Sequence, residues 1–122
     1  MHPKPFSIRS RIKSFSYALA GLRRFVWQEH NARIHLAATI AVIIAAFLLH
    51  VSRLESVALI LVVGGVWATE MLNTCLEMIA DIISPEEHPI IKFIKDLAAG
   101  AVLVAAVTAV IVGLIIFIPK II

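Results

Sequence analysis

The chain has 122 residues, of which 61% are hydrophobic and 16% charged, against roughly 45–50% and 25% in a soluble domain. That length allows one domain, 1–122, and a soluble domain of this size has too little interior for so much apolar surface, so the excess must face lipid. The formal net charge is +3, with seven of the eleven Lys and Arg residues in the first 33 positions (Lys4, Arg9, Arg11, Lys13, Arg23, Arg24 and Arg33). Beside apolar spans, such a basic arm points to a membrane surface and away from nucleic acid.

The first predicted element covers about 14–28, where Phe15, Ala18, Leu19, Leu22, Phe25 and Val26 recur at helical spacing and Arg23 and Arg24 close the segment. It reads as an amphipathic helix in the bilayer interface with its cations near lipid phosphates. No long apolar run precedes residue 34, and no small-residue cleavage site follows the basic start. The segment is therefore expected to be retained and not removed as a signal peptide.

The second element, about 32–51, is apolar from Leu36 to Leu49 except for Thr39, near the short end of what spans a bilayer. His50, Ser52, Arg53 and Glu55 interrupt it as a polar turn. The third, about 54–83, contains no proline; its first half is apolar, and Gly64 and Gly65 are expected to permit close helix contact. The single cysteine, Cys75, excludes an internal disulfide framework and is expected to be a small buried packing residue. Ser84 to Lys92 holds two prolines and reads as a loop. The last element, about 93–118, contains the clearest span, Leu97 to Ile118, whose only polar side chain is Thr108. Three spans put nine of the eleven Lys and Arg residues on one side, leaving Arg53 and Lys120 opposite. The positive-inside rule then makes the N-terminus and the second loop cytoplasmic.

The chemistry is concentrated in the third element. Glu70, Asn73, Thr74, Glu77 and Asp81 fall within an arc of about 100° on a helix. Acidic residues beside lipid cost roughly 2.5–3.5 kcal/mol each, so they normally line a site or a pathway. Glu70 and Glu77 are seven residues apart, about 10 Å along the axis. That is too far for both to grip one small ion unaided, so one can hold a metal while the other works as a base. Glu29, where the first element meets the second, offers another carboxylate, and Lys95-Asp96 offers a cation that could equally snorkel at the interface. The chain has no Gly-x-x-x-x-Gly-Lys-Ser/Thr loop and no His-Glu-x-x-His pair. Composition and spacing alone describe a membrane protein with an acidic interfacial site and no named reaction.

Glu70-x-x-Asn73-Thr74-x-x-Glu77-x-x-x-Asp81, Lys95-Asp96-x-x-Ala99-Gly100-Ala101-Val102 and Glu29-x-Asn31-x-Arg33-Ile34-His35 together resemble the prokaryotic diacylglycerol kinase family, which includes the undecaprenol kinases, over nearly the whole chain from about Arg11. The resemblance implies an all-α integral membrane homotrimer, each subunit a surface helix plus three transmembrane helices, with sites shared between subunits. It implies an ATP- and Mg2+-dependent kinase acting on a membrane lipid alcohol. In that family's pattern Glu70 matches the catalytic base, Asn73 supports the transfer centre, and Glu29 and Glu77 match magnesium ligands that also lie at the nucleotide. Tyr17, Glu86, Glu87, His88, Lys95 and Asp96 match ATP contacts, and Glu70 and Ala99 match contacts to the lipid. Ser10 stands where some members have an ATP-contacting arginine, with Arg9 and Arg11 on either side. His35 replaces an acid of some diacylglycerol kinases, which leans toward undecaprenol, with diacylglycerol as the alternative. Two further readings stand beside the kinase: a small ion-translocating subunit, which predicts acids deep in the bilayer, and a structural subunit whose acids only pair with neighbouring cations.

Overall fold

The computed structural model describes residues 3–122, and among these residues the only regular structure is helical. Four helices follow in order: α1 (Ile8–Gln28), α2 (His30–Leu48), α3 (Arg53–Ile83) and α4 (Pro89–Ile121). The chain divides into two compact units, one ending at Leu36 and one from Ala37 to Ile122.

In the first unit, Ser7 caps α1 with its Oγ, which accepts from the Ser10 N–H at 3.3 Å. The cap carries the helix six residues further toward the N-terminus than the expected start at 14, and Ile8 and Ile12 continue the apolar line of Phe15 and Leu19 through the added turns. α1 ends at Glu29, whose backbone is extended (φ −95, ψ 122) and whose N–H donates to the Phe25 carbonyl.

α2, α3 and α4 are each long and apolar enough to cross a bilayer. The 19 residues of α2 make about 28 Å, close to the roughly 30 Å of a hydrocarbon core. α3 and α4, with 31 and 33 residues, make about 46 and 50 Å and overshoot it. Ile44, Phe47, Ile60, Leu61, Leu103 and Val104 lie on exposed faces of these helices, which is favourable only against lipid or other protein.

α2 stops in a left-handed residue, His50 (φ 52), and the Val51 N–H reaches back to the Ala46 carbonyl at 3.2 Å. Ser52 then opens α3 with a capping box: its Oγ accepts from the Glu55 N–H, and Glu55 Oε1 accepts from the Ser52 N–H. The polar turn is thus residues 49–52, and Arg53 and Glu55 already belong to α3. The second loop is also shorter than its two prolines suggest. Residues 84–88 form it, and α4 begins at Pro89 with His88 as its cap. Proline is well tolerated in a first helical turn, where no carbonyl waits for its missing N–H.

α3 and α4 pack along each other, tied at both ends. Lys95 Nζ meets Asp81 Oδ1 at 2.7 Å near the connecting loop, and Lys120 Nζ meets Glu55 Oε1 at 3.0 Å at the opposite end. Asp81 back to Glu55 is 26 residues along α3, and Lys95 on to Lys120 is 25 along α4. The two helices therefore run antiparallel in constant register. α2 is joined to α3 by Trp67 Nε1, which donates to Thr39 Oγ1 at 2.9 Å. A cleft of about 660 Å³ opens between them, lined by Thr39, Ala46, Leu59, Val63, Gly64 and Trp67 among others. Among the described residues no close contact is made at Gly64 or Gly65, where an added Cβ would meet nothing within 4 Å. Cys75 is exposed and not buried.

Candidate active site

The polar face of α3 changes character along its length. Glu70 is buried, with 6% of its surface exposed. Asn73 and Thr74 are half-buried, and Glu77 and Asp81 are exposed. One helical stripe thus runs from a sheltered carboxylate to open ones within three turns. Asn73 Oδ1 is buried and has no hydrogen-bond partner among the described residues, a state that costs about 1–3 kcal/mol. An acceptor left without a partner at this point is one that an incoming donor can satisfy.

The register of α3 against α4 places the second block of residues. Four residues before Asp81 is Glu77 and four after Lys95 is Ala99, so these two stand level on facing helices. Glu70 is level with about Ala106, another small residue. Small residues here leave room beside the acidic face. At the mouth, Lys95 is committed to Asp81, and Lys92 pairs with Asp96 at 2.7 Å. Both pairs are largely solvent-exposed, so each is weak and open to exchange. The pairing reading of the acidic stripe therefore describes Asp81. It does not describe Glu77, which makes no ion pair among the described residues.

The loop supplies Glu86 and Glu87, both exposed, and His88, whose Nδ1 accepts from the Ile90 N–H at 3.2 Å. Ser84 Oγ donates to the Glu86 carbonyl at 2.6 Å and shapes the turn. Glu70, Asn73, Glu77, Lys95, Asp96 and Ala99 are thus gathered on two packed helices with the loop beside them. Tyr17 and Glu29 belong to the first unit; Tyr17 is exposed on α1, and Glu29 is half-buried at the break between α1 and α2. Among the described residues, no group of three or more His, Cys, Asp or Glu side chains gathers around a common point. Magnesium asks less than that, typically one or two carboxylates plus substrate phosphates. The open Glu77 carboxylate and the orphaned Asn73 oxygen, both hard oxygen donors, fit that chemistry. The pairing of Lys95 with Asp81 had no sequence signal, since the two are fourteen residues apart on different helices.

The sequence profile of prokaryotic diacylglycerol kinase matches residues 16–117. The chain belongs to that family. It is 44% identical over 108 residues to the undecaprenol kinase of Bacillus subtilis, covering 88% of each chain. It is 45% identical over 101 residues to a diacylglycerol kinase of Synechocystis sp., covering 82% of this chain and 58% of that one. With the diacylglycerol kinase of Escherichia coli the identity is 34% over 100 residues, 82% of each. Membership makes this chain a membrane-embedded lipid kinase with a nucleotide co-substrate. The family match runs through α1, α2, α3 and most of α4.

Proposed function

We propose that the chain is an ATP- and Mg2+-dependent kinase that phosphorylates the hydroxyl of a membrane lipid alcohol, with undecaprenol favoured. The observation that carries this is the graded face of α3: a buried carboxylate at Glu70, an unsatisfied buried acceptor at Asn73, and an open carboxylate at Glu77.

Glu70 is the base. As the lipid oxygen bonds to the γ-phosphorus of ATP, its proton passes to a Glu70 carboxylate oxygen, and the bond from γ-phosphorus to the bridging oxygen breaks, its electrons leaving with ADP. Asn73, one turn along α3 from Glu70, supports the transfer centre. Glu29 and Glu77 are the side chains that would hold magnesium, which neutralises phosphate charge when bound. Tyr17, Glu86, Glu87, His88, Lys95 and Asp96 contact ATP, with Lys95 exchanging the Asp81 carboxylate for a phosphate. Glu70 and Ala99 border the lipid. Arg9 or Arg11, which flank Ser10, substitutes for the arginine absent there; Arg11 lies over the Phe6 ring, 5.6 Å from its centroid. The protein is a homotrimer in a bacterial plasma membrane with its N-terminus cytoplasmic, supported by its outward apolar faces and by the bias of Lys and Arg toward one side.

Undecaprenol is favoured by Asn31-x-Arg33-Ile34-His35 and by similarity over 88% of the undecaprenol kinase of Bacillus subtilis. Diacylglycerol is the second reading, and the 45% identity to the Synechocystis diacylglycerol kinase favours it. Labelled ATP offered with magnesium and each alcohol separately in mixed micelles tests both. Labelled undecaprenyl phosphate that exceeds labelled phosphatidic acid is the expected result. Folded protein that labels neither alcohol would overturn the proposal.

A further inference from the structure

The transfer chemistry makes no use of the cleft between α2 and α3. On α3 its lining runs from Trp67 back to Ser56, about 16 Å by helical rise. It lies on the far side of Trp67 from Glu70 and ends beside the turn at residues 49–52, in the half of the membrane remote from the acidic mouth. Leu59 and Val63, on its wall, lie within about 20° of the line of Glu70 around the helix. Glu70 itself is one turn beyond Trp67. The cleft therefore continues the face that carries Glu70 into the hydrocarbon.

Its polar groups are spent within the protein. The Trp67 indole N–H donates to Thr39 Oγ1 and the Ser56 hydroxyl donates to the Ser52 carbonyl, each at 2.9 Å, so the wall suits an apolar occupant. Phe47 and Ile60, which line it, stay 78% and 71% exposed, so the described residues leave it open along one side. A volume of about 660 Å³ falls within the roughly 300–1,000 Å³ of small-molecule sites. Spread over about 16 Å it gives a mean cross-section of about 40 Å², half the roughly 80 Å² of an α-helix 10 Å across. A hydrocarbon chain fits that width, whereas a helix from a second copy of the chain is too thick for it.

We propose that the α2–α3 cleft takes the hydrocarbon tail of the lipid alcohol whose hydroxyl lies at Glu70, and so makes the enzyme prefer long-tailed alcohols to short-tailed ones. This rests on Glu70 as the base of a lipid kinase, and not on which alcohol is the substrate. A chain leaving Glu70 reaches the level of Trp67 within about 5 Å, and every further carbon that enters the cleft leaves the bilayer for a packed wall. A tail that stops at Trp67 gains none of this contact. Gly64, one turn past Trp67, keeps the passage open, since a Cβ there meets nothing within 4 Å.

The test uses the full chain and measures kcat/KM in mixed micelles for undecaprenol against farnesol, and for dioleoylglycerol against dihexanoylglycerol. Wild type is expected to prefer the long-tailed member of whichever pair it phosphorylates. Gly64→Leu projects a branched side chain into the open cleft. Its long-to-short ratio is expected to fall at least tenfold, the lower end of the roughly 10–200-fold that one methylene is worth in a hydrophobic pocket. Gly65→Leu adds the same side chain one position along, equally clear of contacts but outside the cleft lining, and keeps the wild-type ratio. Thermal unfolding and native mass spectrometry check that both variants keep the wild-type fold and subunit number. A wild type without chain-length preference, an unchanged ratio in Gly64→Leu, or an equal fall in Gly65→Leu would overturn the proposal and leave the kinase reading standing. A changed subunit number in Gly64→Leu would give the cleft to a second copy and overturn it too. Folded wild type that phosphorylates none of the four alcohols would overturn both.

Discussion

Glu70→Gln separates a catalytic carboxylate from a structural one. Gln keeps the shape of the side chain, so a position only 6% exposed is not overpacked or emptied by the change. It does lose the basic oxygen that would take the lipid proton. Loss of a general base lowers kcat about 10²- to 10⁴-fold, equivalent to about 3–5 kcal/mol of barrier. Glu77 lies seven residues further along α3, about 10 Å by helical rise, so the nucleotide end of the site should not feel the change. KM for ATP is therefore expected within about twofold of wild type while kcat collapses, a pattern expected when an interaction acts only in the transition state. Labelled-phosphate transfer in mixed micelles measures kcat and KM, and thermal unfolding in the same detergent measures stability. A variant that keeps more than a tenth of wild-type kcat would refute Glu70 as the base. A variant that unfolds instead of losing turnover would make Glu70 a structural residue.

Asn73→Leu removes the buried oxygen that has no partner among the described residues, so it is expected to stabilise the protein by up to about 1–3 kcal/mol while reducing turnover; unchanged turnover would free Asn73 of any role at the transfer centre. Glu77→Gln should raise the magnesium concentration needed for half-maximal rate, and a magnesium titration identical to wild type would remove it from the metal. Lys95→Met leaves Asp81 without its partner, but the pair is largely exposed, so unfolding temperature should hardly move while KM for ATP rises; a large drop in stability would mean the pair pins α3 to α4 after all. Trp67→Phe deletes the hydrogen bond to Thr39, and interhelical bonds of this kind contribute roughly 0.6–2 kcal/mol. Thr39→Val should cost the same, and the double variant should cost no more than either alone.

The existence of α2, α3 and α4 is legible from the sequence because a bilayer core leaves backbone groups no partner but each other. An apolar run of sufficient length there has to be a helix. The acidic stripe is legible for a related reason, since periodic placement of Glu70, Asn73, Glu77 and Asp81 in an apolar helix is too costly to be incidental. Helix ends depend on finer chemistry. The caps at Ser7 and His88 extend α1 and α4 beyond their apolar cores, and a proline that looks like a breaker serves as the first residue of α4.

Only tertiary structure distinguishes residues that the helical period treats alike. Glu70 and Glu77 lie on one face of one helix, yet α3's neighbours shelter the first and leave the second open. The same packing joins Asp81 to Lys95 and Glu55 to Lys120, and so sets which small residue of α4 stands level with each acid. It also leaves Asn73 Oδ1 buried without a partner among the described residues. Periodicity reports which way a side chain points from its own helix axis. Burial and pairing depend on what another helix brings to that place, and no single helix's sequence contains that distance.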